Sequence, residues 1–213
     1  MRRSPTFAEC FRFPIATPDA RRDLVLGGTL LLLTFPGWIL NMGHRLEVVN
    51  HVWDGEQPYF RGFAPWGPTF RRGLLAFTAI AIYLAPSCIV SGLALLTWPG
   101  VFAQCATWLS VSLFLLGIFA LPGGMTTNAV ERDMTYLVRP DLALRVALAG
   151  GREYVKAWLV AACAIALSFL GLLAGGIGFL YSSVWAWTVV GFAFTTALQD
   201  APELHRSSAK AVG

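Results

Sequence analysis

The sequence predicts an all-α integral membrane protein: four transmembrane helices plus a re-entrant or kinked N-terminal apolar hairpin, with amphipathic interfacial helices on the cytoplasmic face. Three observations carry that expectation. Of the 213 residues, 56% are apolar and only 13% charged, about half the usual charge of a soluble domain at roughly 25%. All Lys, Arg, Asp and Glu fall in four zones, 2–23, 45–72, 131–156 and 200–210, leaving 24–44, 73–130 and 157–199 uncharged. The second and third of those stretches each have room for two crossings at about 20 residues apiece. Residues 1–199 thus read as a single polytopic membrane domain, followed by a short polar tail, 200–213.

Residues 1–23 place Phe7, Phe11, Phe13 and Ile15 among arginines, the composition of a segment lying in the headgroup region. Pro18-Asp19 is a helix opening, since Pro suits the first turn and Asp complements the helix N-terminus. A cleaved signal peptide is not expected, because the apolar run starts only after Arg21-Arg22-Asp23.

Residues 24–49 pose the main topological question. Pro36-Gly37 should kink or break the run. Basic residues number five in 1–23, four in 45–72 and five in 131–156, while the connections near 97–104 and 180–184 hold none. The positive-inside rule then puts the charged zones in the cytoplasm and the uncharged turns outside. Zones 1–23 and 45–72 share a side only if the run between them enters and returns, with a tip near Phe35-Pro36-Gly37. The alternative is a full crossing with the N-terminus outside.

Leu46, Val49, Val52 and Trp53 opposite Arg45, Asn50 and Asp54 form an amphipathic helical pattern, stopped at Gly55. An aromatic, arginine-studded connection leads into a crossing at 74–98, interrupted at Pro86, and a second follows at 101–121. Pro140-Asp141 opens another short helix, closed by Gly150-Gly151. The last crossings are 155–180 and 183–199. In the first of these, Gly171, Gly175 and Gly178 allow close backbone approach and are the helix-packing candidates, and Trp185 and Trp187 belt the outer face.

Along this order stand Gly27-Gly28, Pro36, Gly43-His44-Arg45, Asp54-Gly55-Glu56, Phe63, Trp66, Phe70, Gly73, Tyr83 with Pro86, and Tyr154. In these residues the chain resembles the polytopic membrane proteins catalogued as domain-of-unknown-function family 4013. The likeness covers nearly the whole chain. Two departures stand out: the family usually has Gly-Tyr where this chain has Gly43-His44, and its acidic proline motif is blurred here into QPYFRGF. The resemblance implies a membrane architecture and brings no activity with it.

The chemistry-bearing residues are sparse. His44 and His51, seven apart, share a helix face and are the candidate pigment or metal ligands, with no third ligand at suitable spacing; interfacial histidines bonded to backbone or headgroups are the commoner case. Arg45, Arg61, Trp66, Arg71, Arg72, Arg139 and Arg145 are the lipid-headgroup or interface candidates. Asp54 and Glu56 have no nucleophile or partner base, and no phosphate loop, Ser/His/Asp set or zinc motif occurs. The four cysteines lack CxxC spacing and read as packing residues. No catalytic or metal residue is assigned and no cofactor is predicted, a pigment being an option only through His44 and His51. The net charge of +4 fits basic residues facing lipid, not nucleic acid.

These features favour a non-catalytic accessory subunit packing laterally with other membrane proteins in an inner-membrane complex, conceivably a pigment-bearing photosynthetic one, with both termini cytoplasmic. The alternative is an uncoupled small-solute or lipid transporter built on the helices broken at Pro36 and Pro86. A solid interior favours the first, and a cavity at the broken helices favours the second.

Overall fold

A computed structural model describes residues 6–54, 62–131 and 135–199, without the side chains of residues 131 and 135. Every described element is helical. The succession is α1 (Phe7–Arg12), α2 (Pro18–Leu30), α3 (Phe35–Trp53), α4 (Trp66–Leu96), α5 (Val101–Glu131), α6 (Thr135–Val138), α7 (Pro140–Ala149), α8 (Gly151–Ser168) and α9 (Ile177–Leu198). Four stretches are long and apolar enough to cross a membrane: α4, residues 101–130 of α5, α8 with its 3-10 extension to Leu173, and α9. Between 17% and 28% of each apolar window is buried inside the protein. Most of each window is therefore not buried within the chain, which suits an apolar bilayer environment.

The N-terminal region follows local rules. Thr6 and Glu9 form a capping box at α1. Thr17 caps α2 by accepting the Ala20 N–H at 3.1 Å, with Pro18 in the first turn. After α2 the chain tightens into a 3-10 turn at Leu31–Leu33, takes φ 55° at Thr34, and reverses into α3. Three contacts show the reversal: Asp23 meets His44, the Gly27 carbonyl meets Asn41, and the Leu30 carbonyl lies against Gly37. Residues progressively nearer Thr34 pair with each other, which is the signature of an antiparallel hairpin. From Asp23 to the tip is about 15 Å of helix at 1.5 Å per residue, half of a hydrocarbon core of roughly 30 Å. Residues 24–43 thus fold back on themselves, and a single continuous crossing by this segment is excluded.

The second limb extends further than expected. α3 passes His44 without a break to Trp53, absorbing the amphipathic pattern and burying Leu46, Val48, Val49 and Val52. It crosses α4 at two glycines. A Cβ on Gly43 would run into the Thr69 carbonyl, and one on Gly73 into the Ile39 carbonyl, so the two backbones touch where side chains would otherwise stand.

α4 and α5 form a helical hairpin, its seam fastened beside Pro86 by serines. Ser87 Oγ donates to the Ser110 carbonyl at 3.0 Å, Ser110 Oγ to the Ser87 carbonyl at 3.0 Å, and the Ser91 and Ser110 hydroxyls lie 2.6 Å apart. α5 runs through Pro122, ten residues beyond the expected end at 121. A proline distorts the preceding turn and opens its ladder. Here the Tyr154 hydroxyl fills the opened rung, accepting the Gly123 N–H at 3.2 Å and donating to the Phe119 carbonyl at 2.6 Å. Those two groups would be bonded directly in an unbroken helix, so a tyrosine from α8 substitutes for the lost rung.

α8 and α9 form the other hairpin. The expected turn near 181–182 lies instead at Ala174–Gly176, where Gly175 (φ 67°) and Gly176 (φ 82°) take a backbone region that side-chain-bearing residues avoid. Tyr154, Phe194, Val189 and Leu198 form the central core between α8 and α9. α7 buries Ala143, Val146 and Ala147 and packs along α5.

Candidate ligand cavity between the hairpin and the spanning helices

The base of the α2–α3 hairpin is held by a buried polar clasp. Asp23 is 4% exposed, and its Oδ2 lies 2.8 Å from His44 Nε2 while accepting the Gly62 N–H at 3.1 Å. An ionised carboxylate only accepts, so the Nε2–H tautomer is the one that serves this bond. Gly62 has φ 76°, which turns its N–H toward the carboxylate. The imidazole stacks on Phe63, with centroids 4.3 Å apart and planes at 16°. Phe63 is buried and stacks in turn near Trp66. A hairpin limb, a second limb and the lead into α4 thereby meet at one carboxylate.

Beside the clasp lies a cavity of about 390 Å³, within the roughly 300–1,000 Å³ common for small-molecule sites. Its walls come from α3, α5 and α9, with Trp38, Met42, Met125, Leu180, Trp187 and Phe194 giving it an apolar and aromatic character. Most polar groups on the wall are already engaged. Asn41 donates to the Gly27 and Gly37 carbonyls at 3.0 and 2.8 Å, Ser183 to Leu180 at 2.9 Å, and Thr188 to Val184 at 2.9 Å. Arg45 is the exception. Its aliphatic stem lies over Gly191, where a Cβ would come 3.3 Å from Arg45 Cγ, and its guanidinium sits 5.0 Å from the Trp187 ring centroid. Among the described residues it forms no ion pair or hydrogen bond.

The sequence-derived candidates scatter. Arg45, expected at the lipid headgroups, points into the cavity because Gly191 leaves a seat for its stem on α9. Trp187, expected on an outer belt, is 46% exposed yet stands at the midpoint of α9, away from either end, where it receives that guanidinium. Trp66 and Arg71 are exposed at the start of α4. Arg72 pairs with Glu47 at 2.8 Å, and Arg139 with Asp141 at 2.7 Å, a hydrogen bond that holds the Asp141 carboxyl below its ordinary range. Arg145 is exposed on α7. Arg61 and the Gly55–Glu56 motif lie outside the described residues. His51 sits in the last turn of α3; among the described residues, no three His, Cys, Asp or Glu side chains gather as a metal site.

The glycine candidates divide. Gly171 and Gly178 face each other across the α8–α9 turn, a Cβ on either landing 2.6 Å from backbone of the other. Gly175, expected on the packing face, is a turn residue with open space around it. The transporter alternative also needs revision at one end. The cavity borders the hairpin through Leu31, Trp38 and Asn41, but Pro86 and Ser87 belong to the α4–α5 seam and do not reach it.

Sequence reading passed over Asp23 and Gly191, and named Tyr154 only for the family resemblance, with no role attached. Asp23 and His44 stand at the two ends of the uncharged segment, but a tip expected at Phe35-Pro36-Gly37 does not pair them; the observed reversal at Thr34 does. Gly191 and Tyr154 carry no signal of their roles, because those depend on which helices pack.

Four apolar crossings, a folded-back hairpin and a partly open, mainly apolar cavity describe a multi-pass helical membrane protein with a ligand-sized recess. The chain belongs to the family described as "Protein of unknown function (DUF4013)", whose model matches residues 26–181. No curated protein and no solved structure matches it.

Proposed function

We propose that this is a non-catalytic membrane protein that binds an apolar or amphipathic molecule, a lipid or a small lipophilic solute, between its N-terminal hairpin and its spanning helices. The cavity of about 390 Å³ beside Trp38 and Asn41 is the observation that carries the reading. A subunit that packs only through its outer faces has no need of such a recess. The helix broken at Thr34–Pro36 borders the cavity, as in discontinuous-helix binding sites. A pigment role draws no support from His44, which is bonded to Asp23 and stacked on Phe63.

Mild-detergent purification followed by native mass spectrometry and solvent extraction tests this. The expected result is one co-purifying lipophilic molecule per chain, displaced when Met42→Trp fills the cavity. A chain that carries nothing, takes up no added lipophile and migrates only with defined protein partners would support the accessory-subunit reading instead. That reading draws on the exposed outer end of the α4–α5 hairpin, where Leu95, Leu96, Trp98 and Val101 are 67–83% exposed.

The charge bias supports an orientation with the basic zones, and both termini, on the cytoplasmic side, as expected for an inner-membrane protein. A single cysteine at Ser4 should then resist an impermeant thiol reagent in intact cells, and ready labelling refutes this orientation.

A further inference from the structure

We propose that the cavity is selective for an anionic amphiphile, one acyl chain ending in a carboxylate or phosphate, with the Arg45 guanidinium as the group that holds the anion. This rests on the ligand-binding reading above and specifies its chemistry. The first support is direction. α3 and α9 run side by side in the same sense: Asn41 lies near Val184 through Gly27, Arg45 lies over Gly191, and the Val52 carbonyl accepts from Gln199. From its stem at Gly191 the Arg45 side chain extends to Trp187, one turn toward the α9 N-terminus and away from the charged C-terminal end. An arginine on a membrane helix ordinarily snorkels toward the interface. This one reaches inward, to the midpoint of a spanning helix.

The second support is the missing partner. No carboxylate among the described residues stands against the guanidinium. The nearby acid, Asp23, is committed to His44 and the Gly62 N–H. Stacking on Trp187 supplies a cation–π contact worth about 0.5–2 kcal/mol, which leaves the five N–H donors of a guanidinium largely unused. A charge at this position requires a counter-ion or water, and it faces a cavity with room for a ligand.

The third support is the shape of the chemistry. The remaining wall is apolar and aromatic, with Trp38, Met42, Met125 and Phe194 forming a surface suited to an acyl chain. Thr126, which also lines the cavity, makes no side-chain hydrogen bond among the described residues and is a second donor. One cation, one hydroxyl and a long apolar wall match a fatty acid or a lysophosphatidate. They suit a zwitterion less well, because no carboxylate lines the cavity to face its cation.

The test uses the full chain in neutral detergent, with affinities for oleate, oleoyl lysophosphatidate, monoolein and oleoyl lysophosphatidylcholine read by native mass spectrometry. Oleate and lysophosphatidate should bind roughly ten- to a hundredfold more tightly than the uncharged and zwitterionic probes, the range expected of a charge-assisted hydrogen bond. Arg45→Gln should abolish that preference while keeping monoolein binding, and Arg45→Lys should restore part of it. Loss of oleate but not lysophosphatidate binding below about pH 4, where a carboxylate but not a phosphate becomes neutral, would confirm that the anion is read; which of the two binds tighter at pH 7 distinguishes a fatty acid from a phospholipid source. Equal wild-type affinity for oleate and monoolein overturns this proposal and leaves the cavity reading standing, even if Arg45→Gln fails to fold. Absence of binding by all four probes overturns both.

Discussion

The α3–α4 crossing offers the sharpest check on the packing described above, through Gly43→Ala and Gly73→Ala. A Cβ on Gly43 would fall 2.8 Å from the Thr69 carbonyl carbon and 2.9 Å from Gly73 N, and one on Gly73 2.7 Å from the Ile39 carbonyl carbon. Carbon pairs settle near 3.5–4.0 Å and the carbonyl oxygens lie nearer still, so each methyl requires the helices to part by more than ~1 Å. The obstacles are backbone atoms, which cannot swing aside as a side chain can. Overpacking of this kind costs about 1–3 kcal/mol, set against a gain of under 1 kcal/mol from replacing Gly in a helix. Because both methyls press the same two backbones apart, opening the crossing for one makes room for the other. The double variant should therefore cost less than the two single costs together, by an interaction energy on the order of 1 kcal/mol. Denaturant titration of helicity in detergent micelles measures all three variants. Single variants as stable as wild type would refute the close approach, and strict additivity would refute the shared crossing.

Two further outcomes follow from the buried polar groups. Tyr154→Phe removes the hydroxyl that bridges Gly123 N–H and the Phe119 carbonyl; it should destabilise the protein by about 1–3 kcal/mol, with faster amide exchange at Gly123, and unchanged protection there would show that α5 closes its own rung. Cys10 is 1% exposed, and its thiol is pushed up to about 11 by burial and then by Glu9. Below pH 9 the thiol is neutral folded or unfolded, whereas between pH 9 and 11 the unfolded chain ionises and the folded one does not, so stability falls through that window. In a chain with Cys88, Cys105 and Cys163 replaced by Ala, alkylation at pH 8 should be roughly a hundredfold slower than in denaturant, and equal rates would contradict the burial.

Much of this architecture is written along the chain. The alternation of charged zones with uncharged runs determines how many helices span, because charge is excluded from hydrocarbon at high cost. Pro36 and the charge balance favour doubling back over 24–49 without excluding a full crossing, and Pro18 and Pro140 begin helices where their fixed φ suits the first turn. These are effects of single residues or of composition, which need no knowledge of neighbours. The turn between α8 and α9 falls earlier than the expected 181–182, because Gly175 and Gly176 take positive φ while in the sequence they resemble the packing glycines around them.

The site depends on what only the packed helices decide. Arg45 in the sequence is one more basic residue following an apolar run, and such residues ordinarily face lipid headgroups. It turns inward because Gly191, 146 positions later, leaves a groove for its stem and Trp187 presents a ring one turn further on. Tyr154 mends α5 only because α8 lies against Pro122. Periodicity and composition report the average environment of each segment. Which cation remains unpartnered, and beside which cavity, is settled by the register between segments far apart in the chain, through contacts that a sequence does not contain until it is folded.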